Sequence, residues 1–129
     1  MLSAFVMPKT QSKRFTPTLL PRLRITCGED IALGPGKAEL LQYLKETGSI
    51  AEAARRIGMS YMRAWTLLKT MERCFKQPLV KTGRGGRQGG GAALTETGLK
   101  ALALYQKMEV ESLRVTQTTW LEMRQLLRS

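Results

Sequence analysis

The chain has 129 residues, a length typical of one domain, and 43% of them are hydrophobic, which suffices for a modest core. Its 21 Lys and Arg residues outnumber 10 Asp and Glu residues, and the net charge of +11 predicts a polyanionic partner. Histidine, the commonest general base and metal ligand, does not occur, and no stretch approaches the roughly 18 apolar residues of a membrane span, so we expect no enzyme, cofactor, metal site or membrane partner.

The first regular pattern is an alternation that predicts a small β-hairpin. Leu23, Ile25 and Cys27 face one way, and the polar residues between them face the other. Gly28 opens a turn over 28–30, and a second short strand follows over 31–33. Because an isolated hairpin is marginally stable, we expect it to pack on a helix.

The two cysteines, Cys27 and Cys74, lack the spacing of a metal site, a CxxC motif or a disulfide framework. This usage is typical of a protein from a reducing compartment. We therefore predict reduced, buried thiols in a cytoplasmic protein.

A helix–turn–helix is predicted over 48–73, preceded by a scaffold helix that opens at Pro35. Ser49 and Glu52 have capping-box spacing, in which each side chain caps the other residue's backbone N–H. Gly58 suits a left-handed helix end, and Ser60 can cap the next helix.

That next helix has an apolar inner face and a polar, basic outer face, which is the arrangement of a helix that enters the DNA major groove. The inner residues are Ala64, Leu68, Met71 and Phe75. The predicted DNA contacts are Ser60, Tyr61, Met62, Arg63, Thr66, Lys69, Thr70 and Arg73. Trp65 lies beside the inner face, and we expect it to pack between this helix and the segment that follows. The alternative is a helical hairpin with a solvated charged face.

A strand over 79–82, six glycines among positions 83–91 and a second strand over 92–94 predict a wing. Glycines let the backbone approach phosphates, and we expect Lys81, Arg84 and Arg87 to contact DNA. A nucleotide-binding loop is disfavoured because no Lys-Ser or Lys-Thr follows the glycines. A flexible hairpin tip is the other alternative.

The remaining chain predicts a long helix that Thr95 caps and that the weakly helical run 116–119 divides. So small a domain cannot cover the apolar residues of this helix, so we expect a homodimer. Paired binding domains suit a palindromic double-stranded DNA operator. The predicted dimer residues are Leu99, Leu102, Tyr105, Met108, Leu113, Trp120 and Leu121. The alternative is that this helix folds back as core.

The run GSIAEAARRIG, the basic helix, PLV, the glycine–arginine loop and LTETG together resemble the winged helix–turn–helix of LysR-type regulators. The blocks Ser-Tyr-x-x-Ala-Trp and Gln-Pro-Leu-Val to Gly-Gly-Gly-Ala resemble more closely the N-terminal domain of the ModE family of molybdate-responsive regulators. The resemblance covers about residues 20–115 and implies a dimeric DNA-binding domain with its recognition helix at 60–75 and its wing at 79–95. It also implies that molybdate binds a separate C-terminal module, which we expect this chain to lack; an oxyanion-binding partner protein is a further expectation.

Together these patterns predict a mainly α fold with a small β part: a winged helix–turn–helix with an N-terminal β-hairpin and a long C-terminal dimerisation helix. We expect a disordered arm over 1–18, the DNA-binding domain over 19–95 and dimerisation helices over 96–129. The predicted function is sequence-specific transcriptional regulation. The alternative is a basic nucleoid- or RNA-binding structural protein, which needs only phosphate contacts.

Overall fold

The computed structural model describes residues 16–83 and 91–128. The chain divides into two compact units: one spans 22–109, and the other joins the described residues before Arg22 to those after Glu109. The first unit continues past the predicted domain boundary at residue 95. Most of the predicted arm lies outside the described residues.

The secondary structure is mainly helical with two short hairpins, as predicted. In chain order the elements are β1 (Ile25–Cys27), β2 (Asp30–Leu33), α1 (Pro35–Thr47), α2 (Ile50–Ile57), α3 (Tyr61–Glu72), β3 (Val80–Thr82), β4 (Ala92–Leu94), α4 (Glu96–Val115) and α5 (Gln117–Arg124).

The N-terminal hairpin confirms the predicted pairing but not the predicted burial. β1 and β2 are antiparallel, and Gly28 turns the chain with a φ of 64°. Ala32 and Leu33 of β2 are buried, whereas Ile25 remains 38% exposed and Cys27 is exposed. The prediction of two buried thiols is therefore wrong for Cys27, because the buried residues of this hairpin, Ala32 and Leu33, lie on β2 and not on β1.

The core lies where α1, α2 and α3 meet the base of the wing and the first part of α4. Most of its members lie on α1, α2 and α3, on the apolar faces of those helices. The fully covered ones include Leu40, Leu41, Leu44, Ala53, Ala54, Ala64, Met71, Leu79, Leu102 and Tyr105.

The first part of α4 is held in this core by close packing. An added Cβ at Gly98 would collide with the Leu79 carbonyl group, so only glycine fits at this crossing. The Tyr105 hydroxyl donates a hydrogen bond of 2.7 Å to the Leu23 carbonyl oxygen, and burial raises the pKa of that tyrosine. Leu102 and Tyr105 are among the residues predicted at a dimer surface, but they are buried in the core of this chain.

Residues 110–128 differ from the first unit because none of these described residues is buried. The helix divides at Thr116, the first residue of the run predicted to interrupt it, and α5 begins directly afterwards. No helix in the described part of the chain is long and apolar enough to cross a membrane.

Candidate nucleic-acid interface

The junction of α2 and α3 is fixed by the capping groups that the sequence predicts. The Ser49 hydroxyl accepts a hydrogen bond of 3.1 Å from the Glu52 N–H. Gly58 adopts the left-handed conformation with a φ of 86°. The Ser60 hydroxyl accepts a 3.1 Å hydrogen bond from the Arg63 N–H, so α3 has a defined start.

At the start of α2 the reciprocal half of the predicted capping box does not form, so that half of the prediction is wrong. The Ser49 N–H instead donates to the Thr47 hydroxyl at 3.2 Å. The Glu52 carboxylate accepts a hydrogen bond from the Arg55 guanidinium, which lowers the pKa of the glutamate. An acceptor was already available two residues before Ser49, so the glutamate was free to pair with a cation.

The two faces of α3 divide as its sequence predicts. Ala64, Leu68 and Met71 are buried against the core. The opposite face is exposed, with Met62 at 64%, and carries Tyr61, Arg63, Thr66 and Lys69. The helix therefore presents a continuous surface of polar, basic and large apolar side chains.

The cations on and after α3 differ in how they are engaged. Lys69 lies 5.1 Å from the centre of the Trp65 ring, and its Nζ is 3.9 Å from Glu72 Oε1. The Arg73 guanidinium is 3.8 Å from Asp30 Oδ2. Within the described residues Arg63 has no ion-pair partner, so its positive charge is available to a ligand.

Thr70 differs from the other predicted contacts on this helix. Its side chain is half-buried, and its hydroxyl donates a hydrogen bond of 3.0 Å to the Thr66 carbonyl oxygen. A threonine hydroxyl has a single proton, so this donor is already used within the helix. The Thr70 hydroxyl therefore has no free proton to donate to a phosphate in this conformation.

The end of α3 reveals a residue that the sequence analysis missed. The helix ends at Glu72, earlier than the predicted end at 75, and a turn leads into the wing. Glu72 Oε2 accepts hydrogen bonds of 3.1 Å from the N–H groups of both Leu79 and Val80. An acidic residue is unfavourable at a helix C-terminus, which was a signal that Glu72 has another role. This carboxylate ties the first wing strand to the recognition helix.

The base of the wing is anchored to the turn before α2. β3 and β4 pair antiparallel, with Val80 opposite Leu94 and Thr82 opposite Ala92. The Ala92 N–H donates a 2.9 Å hydrogen bond to the Gly48 carbonyl oxygen. Lys81 is exposed on β3, whereas Arg84 and Arg87 of the predicted contacts lie outside the described residues.

A groove of about 800 Å³ opens between the start of α2, the start of α3 and the wing base. Thr47, Ser49, Tyr61 and Thr82 contribute polar groups to its wall. Trp65 of α3 lines this groove together with Thr82, and 40% of its surface is exposed, so its predicted packing between the helix and the wing stays a prediction. The groove therefore has an aromatic wall and hydroxyl groups beside the exposed face of α3.

Three helices, the last two joined by a tight left-handed turn, followed by a two-stranded wing define a winged helix–turn–helix domain. Residues 37–99 match the family described as bacterial regulatory helix-turn-helix protein, lysR family. This segment is a LysR-type helix–turn–helix domain, and the N-terminal part of the chain is homologous to the ModE molybdate-responsive regulators.

Three relatives illustrate that homology. The molybdenum transport protein ModE of Azotobacter vinelandii is 37% identical over 92 residues, which is 71% of this chain and 34% of that protein. The molybdenum-pterin-binding protein MopA of Rhodobacter capsulatus is 40% identical over 77 residues, which is 60% of this chain and 29% of that protein. The DNA-binding transcriptional dual regulator ModE of Escherichia coli K12 is 37% identical over 71 residues, covering 55% and 27%. The matched part of the chain thus spans about a third of these relatives or less.

Among solved structures, a single-substitution variant of Lactococcus lactis ZitR superposes with a TM-score of 0.51. The match covers 92% of this chain and 84% of that one at 18% identity. At this identity the comparison supports the shared fold alone.

Proposed function

We propose that this chain is a sequence-specific, DNA-binding transcriptional regulator rather than an enzyme, and that it acts in the cytoplasm. One observation carries the proposal: the exposed face of the first turn of α3 carries Arg63, whose guanidinium has no ion-pair partner in the described residues. The first turns of a recognition helix are where side chains reach base edges, and arginine is the commonest reader of guanine.

Within this proposal the predicted contacts divide by their position along α3. Met62, Arg63 and Thr66 lie on the exposed face of the early turns and contact bases. Lys69 and Arg73 lie later and hold phosphates, and their present carboxylate neighbours are surface ion pairs worth little in water. Exchange of such partners for phosphate costs little.

The wing and the groove supply phosphate contacts, which do not depend on the base sequence of the DNA. Lys81 is exposed on β3, and the groove opens beside the exposed face of α3. Phosphate contacts of this kind fix the register of the protein on the duplex. Arg84 and Arg87 add charge in the same segment of sequence.

We further propose a homodimer, with the C-terminal helices as its interface. Support comes from the large apolar residues of 110–128 that are exposed in one subunit: Val110, Val115, Leu121, Met123, Leu126 and Leu127. In the first unit Leu99, Leu104 and Met108 of α4 are also exposed. A two-fold dimer would place two recognition helices on half-sites about 34–36 Å or a multiple apart, so the operator is a palindrome.

The proposal includes no small ligand for DNA binding by this chain. The names of its relatives include molybdenum transport and molybdenum-pterin binding, and those properties belong to proteins of which the matched segment is about a third or less. A melting curve with added molybdate checks this point: we expect no shift, whereas a saturable rise would identify an oxyanion site on this chain.

Binding-site selection from random duplexes tests the proposed function. We expect enrichment of one palindromic sequence, and we expect affinity for it to fall steeply with salt because phosphate contacts release counterions. Tight binding without enrichment of any sequence would instead favour the nucleoid- or RNA-binding alternative. A duplex with one half-site scrambled serves as the matched control.

A further inference from the structure

The end of α3 and the N-terminal hairpin bring together two thiols that the DNA-binding proposal does not use. Cys27 on β1 is the cross-strand neighbour of Asp30 on β2. The Asp30 carboxylate lies 3.8 Å from the Arg73 guanidinium, and Cys74 follows directly. Besides burial, the Cys27 thiol is one of the groups that raise the pKa of the Cys74 thiol, so the two sulfurs belong to the same cluster as Asp30 and Arg73. The fold therefore brings two cysteines that lie far apart in the chain into one cluster of charged and thiol groups.

The two thiols have different surroundings. Cys27 is exposed and accessible to reagents in solution. Cys74 is half-buried, and its thiol donates a hydrogen bond of 3.9 Å to the Thr70 carbonyl oxygen. Burial raises the pKa of the Cys74 thiol, so it stays protonated at neutral pH. The exposed cysteine is the one that an oxidant meets first.

Charged groups from the neighbouring elements also face this pair. The Asp30 carboxylate disfavours a second negative charge on Cys74, and the Lys37 ammonium favours it. The Lys37 ammonium is held at the hairpin by a hydrogen bond to the Ile31 carbonyl oxygen. A cation next to a sulfur stabilises the thiolate that forms when that sulfur attacks.

We propose that Cys27 and Cys74 form a reversible disulfide site, with a small peroxide as the oxidant. The Cys27 sulfur attacks a peroxide oxygen, the O–O bond breaks, and Cys27 becomes a sulfenic acid while one water leaves. The Cys74 sulfur then attacks the Cys27 sulfur, the S–S bond forms, the S–O bond breaks, and the departing hydroxide takes the Cys74 proton as a second water. The two thiols lose two electrons, and one peroxide is reduced to two waters.

The disulfide would join the hairpin covalently to the end of the recognition helix. A cross-link between positions so far apart in sequence restricts the unfolded chain more than the folded one, in which both cysteines already lie in one cluster. Oxidation should therefore raise the melting temperature by about 10 °C. A thiol reductant should reverse the rise.

The experiment treats the reduced full-length protein with a slight excess of hydrogen peroxide. We expect both thiols to disappear in a thiol titration, and the intact mass to fall by two hydrogens. We also expect mobility on a non-reducing denaturing gel to stay that of a single chain, and dithiothreitol to restore the starting values. The chain has 2 cysteines, so an internal disulfide can join no other pair.

Two variants provide matched controls: Cys27→Ser and Cys74→Ser should show no rise in melting temperature on oxidation. The oxidised and reduced forms of the unsubstituted protein provide an internal comparison if a variant folds poorly. Addition of oxygen without loss of hydrogen, cross-links only between chains, or an internal disulfide with unchanged melting would each overturn the proposal. No DNA is present, so these outcomes leave the proposed function untouched.

Discussion

Two helices of the same length, α2 and α5, differ in the caps and the packing that stabilise them. Each has 8 residues. α2 has a side-chain cap from Ser49, a left-handed glycine end at Gly58 and three buried residues. α5 has no side-chain cap at Thr116 and no buried residue. Helices shorter than about 12–15 residues are marginal in water, so the stability of α2 comes from its caps and packing.

The comparison indicates what α5 requires. Leu121 and Met123 of α5 are 46% and 51% exposed, and Trp120 is only half-buried. Surface apolar residues in such density mark a contact with another protein. This exposure supports our proposal that a second copy of the chain covers α5 in a homodimer.

The largest effect, on oligomeric state and DNA affinity, should come from removing α5 together with the end of α4. A chain that ends at Lys107 should be monomeric by sedimentation. Its affinity for the palindromic site should fall by roughly 10²–10⁴-fold because two half-sites no longer act together. Affinity for an isolated half-site is the control and should stay the same.

The substitution Leu121→Glu repeats that test in a full-length chain by placing a charge at the proposed interface. It should shift the protein from dimer to monomer. A truncated or Leu121→Glu protein that remains dimeric would remove α5 from the interface.

The close packing of α4 on the base of the wing is tested most sharply at Gly98. Gly98→Ala forces a Cβ into the Leu79 carbonyl and should lower the free energy of unfolding by about 1–3 kcal/mol. The matched control is Gly36→Ala in α1, where the added Cβ meets no atom within 4 Å. That change should raise stability by about 0.5–1 kcal/mol because alanine favours helix. Equal effects in urea unfolding would show that α4 does not cross the wing strand so closely.

Trp65 tests the groove beside α2. A fully packed tryptophan costs about 3–5 kcal/mol when truncated, but Trp65 is 40% exposed. We expect Trp65→Ala to lower the free energy of unfolding by about 1 kcal/mol, a typical value for a single substitution. A variant that melts normally but no longer binds DNA would assign Trp65 to the DNA contact instead.

The smallest effects on stability should come from substitutions at the residues just before α2 and α5, which compare the two helix N-termini directly. Ser49→Ala removes an acceptor from the Glu52 N–H and should destabilise the protein by about 1 kcal/mol. Thr116→Ala removes no cap from α5 and should change stability by less than about 0.5 kcal/mol. Similar losses at both positions in thermal unfolding would contradict the contrast between the helices.

The sequence predicted the features that depend on neighbouring residues, such as helix caps. It missed the hydrogen bonds between segments that are distant in the chain. Gly58 and Ser60 were recognisable because their roles depend on residues within one helical turn. The Glu72 carboxylate binds Leu79 and Val80 across a turn, and the Tyr105 hydroxyl binds the Leu23 carbonyl across most of the chain. Periodicity records which side of a helix is apolar but not what covers it, so Leu102 and Tyr105 were assigned to a dimer instead of the core.

The exposed face of α3 is the part of the site that sequence periodicity placed best. Ala64 and Leu68 fixed which side faces the core, and the exposure of Met62 and Arg63 followed. The reach of each side chain to a base or a phosphate depends on the bound duplex, so those roles remain predictions.

The claim that α3 reads bases through Arg63 is tested most directly by the affinity ratio of Arg63→Ala for the selected site and for random duplex. Loss of a base contact should cost about 1–3 kcal/mol on the selected site, with little change on random DNA, and relax one base position. Lys107→Ala removes a charge from α4 and is the control, with an unchanged ratio expected. An equal loss on both duplexes for Arg63→Ala would mean that Arg63 contacts phosphate, and it would contradict base reading by this residue.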